Sequence, residues 1–201
     1  MDFSQHSPAE ATAEYAGTID NFLSNISDRD VVIWADVKDE LPPGTEFIGC
    51  GAGRLVISLP VIPKEQIIKV AIPQWGTKHT SGRVQNALEA HVSENRTPLS
   101  GYINPCLATP PTSHRWGVYL KAEPENETET PRPELQQAWS ELDQEGFRTS
   151  DLFAQENWGW INGQPYLVDY GYAHPDDDCR LAQSIAPECQ SWKSVRIDDS
   201  A

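Results

Sequence analysis

Residues 45–59 read TEFIGCGAGRLVISL, and this stretch decides the fold. Two short runs of strand-forming residues flank a segment with Gly49, Gly51 and Gly53, which predicts two antiparallel strands joined by a glycine-rich turn. The pattern differs from the dinucleotide-binding fingerprint, because a β-branched strand follows these glycines where that fingerprint has a helix. Such a hairpin suits a flap with backbone N–H groups lying over phosphates, and a hairpin without any ligand has the same pattern.

The next apolar strand and the helix after it carry one charged residue each. Residues 66–72 read QIIKVAI and predict a strand that contains Lys69. Residues 81–93 predict a helix, and Glu89 lies beside its apolar face. That face is formed by Val84, Leu88 and Val92. A lysine held by a carboxylate can be presented to phosphate oxygens as an ordered point charge, and a purely structural pair is the alternative.

A second hairpin is predicted at residues 158–168, WGWINGQPYLV. Asn-Gly between two apolar runs is a strong hairpin signal, because both turn residues must adopt positive φ. Asn157 precedes this hairpin and Asp169 follows it. The sequence therefore predicts an amide oxygen and a carboxylate on one Mg²⁺, since hard cations prefer oxygen ligands. Ordinary turn roles for both residues are the alternative.

The order of these segments resembles the protein-kinase-like fold. Residues 48–56 are similar to the glycine-rich loop of that family, with Arg54 in place of the third glycine. Lys69 resembles the lysine of the third strand, and Glu89 resembles its partner on the helix. Residues 157–171 contain Asn-Trp-Gly, Asn-Gly and Leu-Val-Asp-Tyr-Gly in that order. This sequence also resembles the corresponding part of small kinase-like proteins encoded by tailed viruses and prophages.

After residues 123–133, which correspond to the hinge of that family, the resemblance continues, but the sequence departs from the family pattern at several positions. Asp151 resembles the catalytic base, although Thr149 and Ser150 precede it where the family has His-Arg. Asn157 resembles the metal-binding asparagine, and residues 168–171, VDYG, resemble the Asp-Phe-Gly element. The 30 residues after Gly171 predict a reduced C-terminal lobe.

The resemblance implies ATP and Mg²⁺ as cofactors of a degenerate, pseudokinase-like protein with weak or no phosphotransfer. It assigns catalysis to Lys69, Glu89 and Asp151, nucleotide binding to Gly49, Gly51, Gly53 and Lys69, and metal binding to Asn157 and Asp169.

The predicted fold class is α+β and protein-kinase-like. An antiparallel N-lobe sheet carries the glycine-rich hairpin and one helix, and a reduced C-lobe ends in a β-hairpin. The predicted segments are an N-terminal helix and strand extension, an N-lobe-like region, an acidic linker or hinge, a reduced C-lobe and a polar tail. Their residues are 1–44, 45–122, 123–133, 134–172 and 173–201, in that order.

Composition limits the function further. Thirty acidic against fifteen basic residues give a net charge of −15, which disfavours nucleic acid as a partner because phosphate binding needs a basic surface. The acidic, lysine-poor composition is typical of proteins from concentrated salt, so a halophilic source is one hypothesis and an ordinary acidic protein is the other. Neither a signal peptide nor a membrane span is evident, which predicts a cytoplasmic protein without a membrane partner.

Two further readings of the sequence stay open. The chain is alternatively a non-enzymatic structural or interaction protein of a haloarchaeal virus, such as a virion-associated or assembly component, with a protein partner or a virus particle as its target. The acidic tail offers a metal site or a solvated loop, formed by His174, Asp176, Asp177 and Asp178.

Overall fold

A computed structural model of the chain describes residues 8–27, 37–38, 40–51, 53–72, 81–95, 101–110, 113–124, 140 and 154–171. The β-branched run at residues 31–34, which predicts the strand of the N-terminal extension, lies outside these residues, and so do Asp151 and the acidic tail. The predicted class is confirmed at the level of a mixed α+β fold with antiparallel sheets.

Two antiparallel sheets and two main helices form the described part of the chain. The first sheet has the strand order β1-β2-β3-β4, and the second has the order β5-β6-β7. A single 3-10 turn at Gln155–Asn157 leads into the second sheet. The elements are α1 (Pro8–Ser27), β1 (Glu46–Cys50), β2 (Arg54–Ser58), β3 (Gln66–Ala71), α2 (Gly82–Asn95), β4 (Trp116–Leu120), β5 (Glu123–Pro124), β6 (Trp158–Ile161) and β7 (Gln164–Leu167).

Both predicted hairpins are confirmed. β1 pairs with β2, and the N–H of Gly51 closes their turn by donating to the carbonyl of Arg54 at 2.9 Å. β6 pairs with β7 through Asn162 and Gly163, whose φ angles are 53° and 77°. The Asn-Gly turn therefore has the two positive φ values that its sequence requires.

The register of the first sheet separates its apolar face from its charged face. Val56 pairs with Lys69 and Arg54 pairs with Ala71, so the side chains of Arg54 and Lys69 project from the same face. The opposite face is apolar and packs against α1. Its core consists of Ile19, Phe22, Leu23, Val37, Leu55, Ile57, Leu59, Ile62, Ile68, Val70, Ile72, Trp116 and Val118.

Helix α2 covers the charged face at very short range. A Cβ atom at Gly82, the first residue of α2, would lie 2.2 Å from the carbonyl oxygen of Gly53 and 2.8 Å from the Cα of Ala71. Only glycine permits this contact between the helix and the sheet. The close approach brings polar side chains of α2 onto the face that carries Arg54 and Lys69.

Asn104 joins the two sheets. Its side-chain amide donates to the carbonyl of Leu120 at 2.8 Å, and its Oδ1 accepts from the N–H of Leu120 at 3.2 Å. Its own backbone N–H donates to the carbonyl of Leu167 in β7 at 2.9 Å. One buried residue thus fixes the end of the first sheet against the second.

We expect Gly82→Ala to lower the free energy of unfolding by about 1–3 kcal/mol, because the added Cβ forces α2 away from backbone atoms. Chemical denaturation measures this change. Gly49→Ala is the matched control, since a Cβ there meets nothing within 4 Å. Equal stability of the two variants would contradict the close approach of α2.

Candidate functional site

The carboxylate of Glu89 lies at the centre of a buried ionic cluster. Its side chain is fully buried on α2, and both of its oxygens accept from Lys69 Nζ at 3.0 Å. Arg54 approaches the same carboxylate through Nη2 at 2.9 Å and Nη1 at 2.8 Å. The backbone N–H of Tyr170 also donates to Glu89 Oε1, at 3.3 Å. Groups from β2, β3 and the segment after β7 therefore converge on one carboxylate.

Arg54 binds three acceptors that come from two parts of the chain. Besides Glu89 it donates to Asn86 Oδ1 at 3.2 Å, one turn earlier on α2. Its Nη2 also donates to Asp169 Oδ1, after β7. The side chain of Arg54 is only 4% exposed, whereas that of Asp169 is 29% exposed. Arg54 therefore connects α2 with the carboxylate that lies nearest to solvent.

Lys69 is held by the segment after β7 as well as by Glu89. Its Nζ donates to the carbonyl of Val168 and lies 4.5 Å from the centre of the Tyr119 ring. An ammonium group has three protons. The two oxygens of Glu89 and the carbonyl of Val168 use all three.

The segment 168–171 is fixed at two further points, one at Asn104 and one on α2. The Tyr170 hydroxyl donates to the carbonyl of Asn104 at 2.9 Å. A Cβ atom at Gly171 would lie 2.4 Å from the carbonyl oxygen of Gln85, so this glycine permits direct backbone contact with α2. These contacts determine where Val168 and Asp169 lie relative to Lys69.

Burial and charge act in opposite directions within the cluster. Burial by itself raises the pKa of Glu89, but Arg54 and Lys69 outweigh that effect and lower this pKa to about 2. Burial and the neighbouring Arg54 lower the pKa of Lys69. Burial lowers the pKa of Arg54, but the carboxylates of Glu89 and Asp169 raise it by more than burial lowers it. The pKa of Arg54 is therefore above its usual range.

An open pocket of about 510 Å³ lies beside the cluster. Val168 belongs to both, because its carbonyl accepts from Lys69 and its residue lines the pocket. Trp158 contributes an aromatic wall. The lining residues are Ala122, Glu123, Pro124, Glu156, Trp158, Gly159 and Val168.

The structure brings together three of the residues that the sequence singled out, namely Lys69, Glu89 and Asp169. Asn157 lies next to Asp169, since its backbone carbonyl accepts from the N–H groups of Val168 at 2.7 Å and Asp169 at 3.4 Å. Asp151 lies outside the described residues.

The predicted nucleotide-binding glycines do not line the pocket. Gly49 and Gly51 lie in open surroundings at the exposed end of the first hairpin. Gly53 is buried, and its carbonyl accepts from the N–H of Ile72 at 3.1 Å. Nucleotide binding by these three glycines therefore stays a prediction.

A Mg²⁺ ion does not fit Asp169 in this arrangement. Asp169 Oδ1 accepts from Arg54, and both oxygens of Glu89 accept from Arg54 and Lys69. Among the described residues no group of three or more His, Cys, Asp or Glu side chains could hold a metal ion. The carboxylates of Glu89 and Asp169 are therefore paired with the protein's own cations.

Arg54, Asn86 and Asn104 are buried polar residues to which the sequence alone assigns no role. One feature of the sequence could have indicated a role for Arg54. It is a charged residue at the start of an apolar strand, just as Lys69 is a charged residue within the next apolar strand. The two asparagines had no such feature, since their partners are distant in the sequence.

Neither a protein-family model nor a curated protein matches this chain. In the part of the chain that the structure describes, no helix combines the length and the apolar character that a membrane span needs.

We expect Glu89→Gln to lower the free energy of unfolding by about 3–5 kcal/mol, because it leaves Arg54 and Lys69 buried without their shared counter-charge. Urea denaturation measures the loss. Glu46→Gln is the matched control, since Glu46 is 60% exposed and pairs at the surface with Lys121. A loss no larger than that of the control would contradict the central role of Glu89.

Acid should weaken the protein through the same carboxylate. The pKa of Glu89 is about 2 in the fold against an ordinary value of 4.5. Its contribution to stability is therefore complete above pH 4.5 and is lost as the pH falls from 4.5 towards 2. Unfolding free energies measured across this range should depend on pH more steeply in the wild type than in Glu89→Gln, by about one proton. Parallel curves would contradict the lowered pKa.

Proposed function

We propose that this chain is a degenerate kinase-like domain that binds an adenine nucleotide and transfers phosphate weakly or not at all. The observation that carries the proposal is the contact of Lys69 Nζ with the carbonyl of Val168. It connects the Lys69–Glu89 pair to a residue that lines the pocket. A basic group beside a ligand-sized pocket suits a ligand that combines a ring with phosphates.

The pocket has suitable dimensions and walls for such a ligand. Its volume of about 510 Å³ lies within the range of small-molecule sites, and Trp158 and Val168 supply apolar surface. Strand β5 forms the edge of the second sheet, and edge strands present backbone hydrogen-bonding groups. These features support binding of a nucleobase between β5 and Val168.

The ionic cluster supports weak catalysis. Phosphoryl transfer depends on positioning and on charge stabilisation in the transition state. The three protons of Lys69 are already used by Glu89 and Val168, and Asp169 is already paired with Arg54. Lys69 must give up a partner before it can contact a phosphate, and this reduces its contribution.

The same internal pairing favours a second candidate, a non-enzymatic structural or interaction protein. In that case the cluster serves to connect α2 with both sheets, and the chain acts through a partner surface. The setting for this candidate is a haloarchaeal virus particle or its assembly. The acidic composition suggests the halophilic source, and the resemblance of residues 157–171 to virus-encoded proteins suggests the virus.

We expect millimolar ATP to raise the melting temperature of the wild type by a few degrees, because a ligand that binds the folded state stabilises it by mass action. Ala122→Trp should abolish the shift by filling the pocket. Val61→Trp is the matched control, since Val61 is 41% exposed and does not line the pocket.

Absence of any shift in the wild type would remove the nucleotide proposal and favour the structural candidate. If ATP binds, the wild type should release its γ-phosphate at most slightly faster than Asp169→Asn does. A clear excess would show that the domain is an active phosphotransferase.

A further inference from the structure

We propose that the Arg54 guanidinium takes the place of a divalent cation on Asp169, so that this site works without a bound metal ion. Arg54 is a residue of the fold's own sheet. A cation built into the chain is always present at the site, whereas a metal ion must be taken up from solution.

The position of Arg54 is determined by the helix and not by chance contact with Asp169. Asn86 and Glu89, three residues apart on α2, both accept from the guanidinium, at 3.2 Å and at 2.8–2.9 Å. Residues three apart share one face of a helix. The third acceptor, Asp169 Oδ1, comes from a different part of the chain. The guanidinium is therefore held from two sides.

The charges of the cluster cancel without a metal ion. Arg54 and Lys69 supply two positive charges, and Glu89 and Asp169 supply two negative charges. A divalent cation on Asp169 would add two positive charges next to a buried guanidinium, where like charges repel strongly. Uptake of such an ion requires that Arg54 leave the position it occupies.

This arrangement has a consequence for the ligand. A nucleotide in the pocket would meet a neutral cluster, and any Mg²⁺ that it carried would be bound by its phosphates and not by Asp169. For the nucleotide this consequence rests on the proposed function, whereas the exclusion of a metal ion from Asp169 does not.

Titration with Mn²⁺, followed by electron paramagnetic resonance, tests the proposal directly. The wild type should bind no more Mn²⁺ than Asp169→Asn, which measures the background of the acidic surface. Arg54→Ala should gain one Mn²⁺ that binds at least roughly tenfold more tightly than any ion of the wild type. The double variant Arg54→Ala/Asp169→Asn should lose it.

Two controls isolate the role of the Arg54 charge. Arg54→Lys keeps the positive charge and should gain no Mn²⁺. Arg115→Ala removes an arginine whose side chain is 53% exposed and should also gain none.

Mn²⁺ binding by the wild type that is lost in Asp169→Asn would overturn the proposal, and this comparison holds even if Arg54→Ala fails to fold. A folded Arg54→Ala without Mn²⁺ uptake would overturn it as well. If no nucleotide binds, the proposed function fails, and the Mn²⁺ titrations alone decide on Arg54.

Discussion

One buried carboxylate organises the described part of this protein. A charge that is removed from water needs counter-charges and hydrogen-bond donors around it. Glu89 obtains them from Arg54 on β2, Lys69 on β3 and the backbone of Tyr170. The requirements of this single group therefore set the distances between α2, the first sheet and the segment after β7.

Glycine makes these short distances possible. Gly82, the first residue of α2, and Gly171, which packs against Gln85 of α2, lie where a side chain would collide with backbone atoms. Packing by side chains alone would keep the helix further from the sheet and from residues 168–170. The cluster and the two glycines are thus parts of one arrangement, since the ionic contacts need an approach that other residues would prevent.

The sequence was sufficient wherever the signal is local. The Asn162–Gly163 turn specifies its own hairpin, and the apolar spacing of residues 81–93 specifies α2 with Glu89 on it. The partner of Lys69 followed from the family resemblance. The position of Arg54 depends on the pairing of β2 with β3, and β5 forms within an acidic stretch only because β6 is there to pair with it. Contacts of this kind arise from tertiary structure, so no local sequence pattern predicts them.

Asn104 illustrates how strongly a position without any chemical task can be restricted. Its amide imitates a peptide group by donating to and accepting from Leu120. Only carboxamide side chains offer that planar combination, and the longer one of glutamine would not fit where asparagine is fully enclosed. We therefore expect position 104 to tolerate as few substitutions as a catalytic position does. A mutational scan would find it sensitive because of its structural contacts alone.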